Sequence, residues 1–425
     1  MRIHFLGSEG ASIKRLMEIA KSLGFVVSGS DVATTGHKKE FVWGSDLVVY
    51  TAAVGDDNCE ILEAKKLGIK TIERSEFLGY IASKFDKTIA ISGTHGKTSV
   101  TGMIASIFEN QDVCVHIGGD CYQKNGKKEF FLTEACEYKR SFLTLKSTIG
   151  VILNVELDHT DYFRDLDDYV CAYIDFANKS KMVIVNGDDL ILYDLSEKYN
   201  YIRFGLNNKN DYTAVNILEG KDGIEFDFVY KKATLCNLKV PVYGRHNLLN
   251  AIAAAAVSHI AGLCIDEIKD GLEGYKGVKR RLEYLGNKNG ARIYSDYAHH
   301  PQEISCLINA IKQKQYKNFA MVFEPHTYTR TASLCNDFAS SLSQADTIFL
   351  MPIFPSREKL VDGVTSDIIY KKLQNTNSYN MESYDKLFNL LDNDFANKFD
   401  AIVFCGAGTI DFFARKFAIF HNKSS

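Results

Sequence analysis

No run of about 18 or more apolar residues occurs in the chain, which argues against a membrane-spanning helix. The ten cysteines are scattered singly and never pair as C-x-x-C. Neither a zinc site nor a disulfide framework is indicated, and reduced thiols in a cytosol fit better. A formal charge of −3 leaves no basic field to attract nucleic acid or an anionic membrane surface. The first residues, Met1-Arg2-Ile3-His4-Phe5-Leu6-Gly7, enter a strand and a glycine turn and carry no signal-peptide pattern. Only five prolines and no low-complexity linker punctuate the chain, so domain boundaries are soft. These absences point to a cytoplasmic protein built from packed domains.

What remains is a globular composition, 46% apolar and 24% charged over 425 residues. At about 100–200 residues per domain, that length predicts two to four domains. Residues 1–86 alternate strand-like runs (2–6, 25–28, 46–51) with helical ones (13–23, 59–67, 75–84), predicting a small doubly wound, Rossmann-like unit. Its first turn, Gly7-Ser8-Glu9-Gly10, is a fragment of a dinucleotide fingerprint and reads equally as a ligand loop or a plain turn. Residues 87–277 hold buried-strand candidates at 149–154 and 182–186, an alternating, antiparallel-looking stretch over 211–242, and an alanine-rich helix over 247–261. Residues 278–425 repeat the strand–helix rhythm at 292–297, 319–323, 347–351 and 401–405. The fold class expected is α/β.

The densest chemistry is Ser92-Gly93-Thr94-His95-Gly96-Lys97-Thr98-Ser99, directly after the apolar run Lys87-Thr88-Ile89-Ala90-Ile91. A β-branched strand, a glycine-punctuated turn and a helix opening on Lys-Thr-Ser make a phosphate cradle. Backbone N–H groups and the helix N-terminus face the anion, the lysine adds a point charge, and a hydroxyl can hold Mg²⁺. The spacing is more compact than G-x-x-x-x-G-K-[ST], which needs glycine where this chain has Ile91. A nucleoside triphosphate is the ligand expected.

Other polar groups cluster where α/β sheets place ligands, after strands. Glu134 follows Phe130-Phe131-Leu132 and reads as a Mg²⁺ ligand or as a solvated edge carboxylate. His159 stands between Asp158 and Asp161 after the apolar run 149–153, as part of a second metal or phosphate site or as a structural histidine. Asn247, before the alanine-rich helix, can cap it or read an adenine edge. Asp296-Tyr297-Ala298-His299-His300-Pro301 and Pro325-His326-Thr327-Tyr328-Thr329-Arg330 suit a carboxylate, a phosphate or an amine.

In order along the chain, the Gly93–Ser99 loop, Glu134-Ala-Cys-Glu137, Asp158-His159, His246-Asn247, Arg280-Arg281, Asp296–Pro301, Pro325–Arg330, Ser356-Arg357-Glu358 and Gly406-Ala-Gly-Thr-Ile410 resemble the Mur ligases of peptidoglycan synthesis. Together with His4-Phe-Leu-Gly7 and Ser28-Gly-Ser-Asp31 they look most like the alanine-adding branch, over essentially the whole chain. The resemblance implies a Rossmann-like UDP-sugar domain (1–86), a P-loop ATPase-type domain (87–277) and a Rossmann-like amino-acid domain (278–425). It implies a monomer or homodimer that uses ATP and Mg²⁺ to join L-alanine to UDP-N-acetylmuramic acid through an acyl phosphate. Lys97 would stabilise the β/γ-phosphates within the loop Gly93, Thr94, His95, Gly96, Lys97, Thr98, Ser99. Thr98 and Glu134 would hold the first Mg²⁺, His159 a second metal, Asn247 the adenine and Asp296 the ribose. His299, His300 and Arg330 would line the amino-acid site, and Gly7, Gly10, Ser30, Asp31, Thr51, Ala52 and Ala53 the UDP moiety.

This chain departs from the family pattern in places. Ser12-Ile13-Lys14-Arg15 replaces a small-residue helix start, and Cys136 and Lys139 replace acids of Glu-Ala-Asp-Glu-Ser-Asp. Thr327 stands where some alanine-adding enzymes have arginine. Later-acting ligases carry a modified lysine at the position aligned with Tyr173, and Lys179 lies nearly two turns on. Two further readings stand beside alanine addition: attachment of a whole murein tripeptide to the same sugar, and a non-catalytic UDP-sugar- or ATP-binding protein.

Overall fold

The structure is a computed structural model and describes residues 1–51, 53–117, 120–123, 128–160, 162–220, 222–356, 358–374, 377–395 and 397–419. The described residues form three sheets. In the first, Arg2–Leu6 lies between Val26–Ser30 and Leu47–Tyr50, with Lys70–Glu73 outermost, all parallel. Alternation along the first strand sends Ile3 and Phe5 to one apolar layer and Leu6 to the other. The fourth strand escaped the sequence reading because only Ile72 of its four residues is buried, too short a pattern to register.

Among the described residues, ten strands form the central sheet. Lys87–Ser92 sits in its middle, parallel to Phe130–Glu134 on one side and to Ser147–Ile152 on the other. Three strand exits therefore meet at one edge, where the order of connection reverses, which is where such sheets bind ligands. The alternating stretch forms Tyr212–Gly220, Gly223–Tyr230 and Ala233–Val240, the last two antiparallel as expected. An antiparallel pair that the sequence reading lacked, Val113–Ile117 with Asp120–Gln123, closes the other end. The helix Arg245–Ala261 is buried along Ala251–Ser258, which explains why its pattern is apolar all round.

The third sheet places Ala401–Cys405 between Ala291–Asp296 and Phe319–Phe323, all parallel, with Glu283–Lys288 antiparallel at one edge. Thr347–Leu350 and Ser378–Asn380 extend the other edge in parallel.

By packing, the chain forms two compact units: Met1–Leu218 with Ile224–Pro241 and Leu248–Tyr275, and Glu219–Gly223 with Val242–Asn247 and Lys276–Ser425. The first two sheets belong to one unit because they share a core. Phe85 stacks on Phe131 with ring centres 5.1 Å apart, and Thr144 Oγ1 donates to the Ser75 carbonyl at 2.8 Å. Among the described residues no helix is long and apolar enough to cross a membrane, and nine cysteines are free.

His116, buried on the strand Val113–Ile117, has its pKa lowered from 6.5 to about 4, first by burial and then by Arg74. The unfolded chain then binds a proton that the folded chain refuses, so stability is lost as pH falls from 6.5 toward about 4. Thermal melting at pH 7 and pH 5 checks this: His116→Asn is expected to shrink the drop seen in the parent. An unchanged drop would show that His116 is not its source.

Candidate functional site

At the exit of the first sheet, Gly7 turns with φ +79°, and a Cβ there would stand 2.9 Å from Thr51 Oγ1. The Ser30 carbonyl accepts from Gly7 N at 2.8 Å and Ser8 N at 3.1 Å, and Gly10 N donates to the Gly7 carbonyl. Asp31 accepts from Glu9 N at 3.0 Å and from Ala33 N at 2.9 Å. Gly7, Gly10, Ser30, Asp31 and Thr51 are thus brought to one edge. Ala53 lies exposed in the turn after Thr51, and Ala52 lies outside the described residues. The Ser30 hydroxyl donates to the buried carboxylate of Glu60 at 2.9 Å.

The central sheet carries the denser site. Gly93 (φ +135°) and Gly96 (φ +87°) let the loop lie on the neighbouring strand exit; a Cβ on Gly93 would meet Leu153 Cβ at 2.9 Å, and one on Gly96 Asn250 Oδ1 at 2.9 Å. Asn154 grips the backbone of His95 from both sides, accepting from its N–H at 2.8 Å and donating to its carbonyl at 3.0 Å. The Thr94 hydroxyl bonds the Glu156 carbonyl at 2.9 Å and meets Tyr169 OH at 3.2 Å. Lys97, Thr98 and Ser99 open the helix Lys97–Ile107, so its first N–H groups and dipole face the loop.

Lys97 Nζ donates to the carbonyls of Gly93 and Thr94 and to both oxygens of Glu137, at 3.2 and 3.0 Å. Glu137 is 2% exposed, and its Oε1 lies 3.5 Å from His159 Nε2. Burial opposes the charge of Lys97, but Glu137 holds its pKa above the ordinary value. Burial likewise works against the Glu137 carboxylate, yet Lys97 and His159 keep it below the usual range. For His159 burial is again outweighed, by its bond to Glu137, and its pKa is raised.

Glu134 ends the adjacent strand, and its Oε1 is buried with no hydrogen-bond partner. An orphaned carboxylate oxygen beside a phosphate cradle fits a hard cation. Among the described residues no group of three or more His, Cys, Asp or Glu forms a metal cage. A single open carboxylate oxygen suits an ion such as Mg²⁺, which takes one or two carboxylates and completes its shell from phosphates and water.

In the second unit, Asp296 accepts from Leu282 N and Ala298 N, both at 2.7 Å, and burial raises its pKa. His299 Nδ1 meets the Tyr297 carbonyl at 3.0 Å, and its ring lies 5.9 Å from that of His326. Arg330 Nη1 reaches His326 Nδ1 at 3.3 Å. Burial first, then His299 and Arg330, lower the His326 pKa to about 4, so the ring is neutral and accepts from the guanidinium. His299 and Arg330 thus meet around His326. His300 is the N-cap residue of the helix Pro301–Gln313, its N–H donating to Glu303 at 3.2 Å, and the Asn247 amide donates to the Tyr243 carbonyl at 2.9 Å.

Three family models match the chain in sequence: Mur ligase family, catalytic domain, at residues 2–86; Mur ligase middle domain at 91–258; and Mur ligase, glutamate ligase domain, at 280–408. The UDP-N-acetylmuramate--L-alanine ligase of Clostridium tetani is 38% identical, covering 96% of each chain. The chain belongs to the Mur ligase family. An Acetivibrio thermocellus ligase of the same name is 36% identical over 96% of this chain and 93% of its own. In fold this Mur ligase is similar to UDP-N-acetylmuramate-alanine ligase from Thermotoga maritima (TM-score 0.84, 24% identity, 100% of both chains). A murein peptide ligase from Psychrobacter arcticus gives a TM-score of 0.69 at 22% identity over 98% of both chains.

Sequence reasoning placed the loop, Glu134 and His159 at one edge but gave Glu137 no role. Its signal was available: an acid three residues after Glu134, too short a spacing to say which of the two turns inward. Tyr173, on the helix Leu166–Ala177, is buried with its hydroxyl 3.4 Å from that of Tyr169, while Lys179 lies exposed beyond the helix. Asp161 and Arg357 lie outside the described residues. Glu137→Ala would leave Lys97 and His159 without their shared counter-charge. The expected loss in denaturant unfolding is about 3 kcal/mol, and a loss below about 1 kcal/mol would mean that water takes over the carboxylate's part.

Proposed function

We propose that this Mur ligase joins L-alanine to the lactyl carboxylate of UDP-N-acetylmuramic acid, with ATP converted to ADP and phosphate. What supports it is the glycine loop with Lys97 and an orphaned Glu134 oxygen beside it, in a chain 36–38% identical to ligases bearing that name. A Thermotoga maritima ligase of the same fold was solved with ADP (TM-score 0.66, 16% identity, 88% of this chain and 94% of that one).

The chemistry follows from a poor electrophile. A carboxylate oxygen attacks the γ-phosphorus, ADP leaves, and the carboxyl carbon now carries a phosphate leaving group. The alanine amine attacks that carbon, loses a proton, and expels phosphate as the amide forms. Most of the catalysis is positioning and the stabilisation of spread phosphoryl charge. Lys97 and the loop amides supply fixed positive charge. Mg²⁺ held by Thr98 and Glu134, with a second ion at His159, would neutralise the phosphate oxygens. Asn247 and Asp296 are assigned to adenine and ribose, the latter chiefly through the backbone that its carboxylate fixes. His299, His300 and Arg330 are assigned to the amino acid, and Gly7, Gly10, Ser30, Asp31, Thr51, Ala52 and Ala53 to UDP. Residues 1–86, 87–277 and 278–425 are the corresponding domains, and the enzyme works in the cytoplasm as a monomer or homodimer.

Phosphate release from ATP with UDP-N-acetylmuramic acid tests this, adding L-alanine, glycine, L-serine or L-Ala-γ-D-Glu-diaminopimelate in turn. Turnover is expected with L-alanine and to vanish in Lys97→Ala. Arg330→Ala is expected to raise KM for L-alanine at least about tenfold, the size of a lost charged hydrogen bond. Turnover with the tripeptide alone would reassign the reaction to peptide attachment.

A further inference from the structure

A second buried carboxylate lies in the N-terminal domain, away from the phosphate loop. Glu60 is 0% exposed on the helix Cys59–Lys66, whose N-cap Asn58 accepts from the Glu60 N–H at 2.9 Å. Its Oε2 accepts from His4 Nε2 at 2.8 Å and from Ser30 Oγ at 2.9 Å. Its Oε1 accepts from His37 Nδ1 at 2.8 Å and from Lys38 N at 3.3 Å. Four donors fill the lone pairs of an ionised carboxylate. His4 is oriented in turn by Ser28 Oγ, 2.8 Å from its Nδ1.

The donors are not scattered. Ser30 begins the segment 30–38 and His37 and Lys38 end it, so one carboxylate closes the loop at its base. The same Ser30 carries the carbonyl that accepts from Gly7 and Ser8, and the next residue, Asp31, accepts from Glu9 N at 3.0 Å. The glycine turn, the loop and the helix thus form one frame centred on Glu60. A buried charge is costly unless every lone pair is satisfied, and an apolar side chain would fill the space without fixing both loop ends.

We propose that Glu60, with His4 and His37, is the positioning residue that shapes the UDP-sugar cradle by clamping both ends of the segment 30–38. This rests on the N-terminal domain binding the UDP-sugar. The test uses the full-length chain, with calorimetric binding of UDP-N-acetylmuramic acid and steady-state kinetics for Glu60→Gln, Glu60→Asp and His37→Asn. Glu60→Gln turns one acceptor into a donor, and is expected to raise Kd and KM for the UDP-sugar at least about tenfold, with kcat and the KM values for ATP and L-alanine within about twofold. Glu60→Asp keeps the charge but is one methylene short, and is expected to fall between parent and Gln. His37 is partly exposed, so His37→Asn is the variant expected to fold unchanged, with KM for the UDP-sugar up about fivefold. Lowered melting temperature and kcat with unchanged UDP-sugar KM would make the cluster merely structural and overturn the inference. If the parent binds the sugar nucleotide and all three variants match it, the inference alone falls. If the parent does not bind it, the reading of the domain falls and takes the inference with it.

Discussion

Two missing Cβ atoms govern the central site. The loop after Lys87–Ser92 can reach its place only by lying directly on the exit of the next strand, where Leu153 and Asn154 leave no room for a side chain at Gly93. That approach lets Asn154 take both hydrogen-bonding groups of the His95 backbone. It also sets the first turn of the helix Lys97–Ile107 with its N–H groups facing the loop. The direction of Lys97, the reach of Glu137 to it and the place of His159 all follow from that one close contact between strand ends.

Around this frame, buried charge is arranged by completeness. Glu137 is shared by an ammonium and an imidazole, Glu60 by two imidazoles, a hydroxyl and a backbone N–H, and Glu324 by Tyr384, Thr409 and the Ile410 N–H. Each carboxylate gathers donors from segments far apart in the chain, so each ties a strand exit to a loop or helix start. Glu134 differs from these three, with one buried oxygen left without a hydrogen-bond partner. A buried carboxylate oxygen left open beside a glycine loop is the kind of donor that a hard cation takes.

Much of the architecture was legible in sequence because it is periodic or local. The runs at 2–6, 319–323 and 401–405 reappear as strands with the same bounds, and the alternation over 211–242 became antiparallel strands. Short or half-exposed strands such as Lys70–Glu73 were lost, since four residues with one buried side chain carry no period. The antiparallel pair Val113–Ile117 and Asp120–Gln123 lacked a boundary signal strong enough to separate it from its surroundings.

By itself the sequence determined the α/β class, the glycine loop before the helix and the family, because each depends on residue type and spacing along the chain. Tertiary structure alone decided which acid meets Lys97, that the Ser30 hydroxyl turns to Glu60, that His300 caps a helix, and that His299 and Arg330 meet around His326. Those are questions of direction and partner. They are settled by which strand exits are neighbours, and that order of strands is not written in any local stretch of the chain.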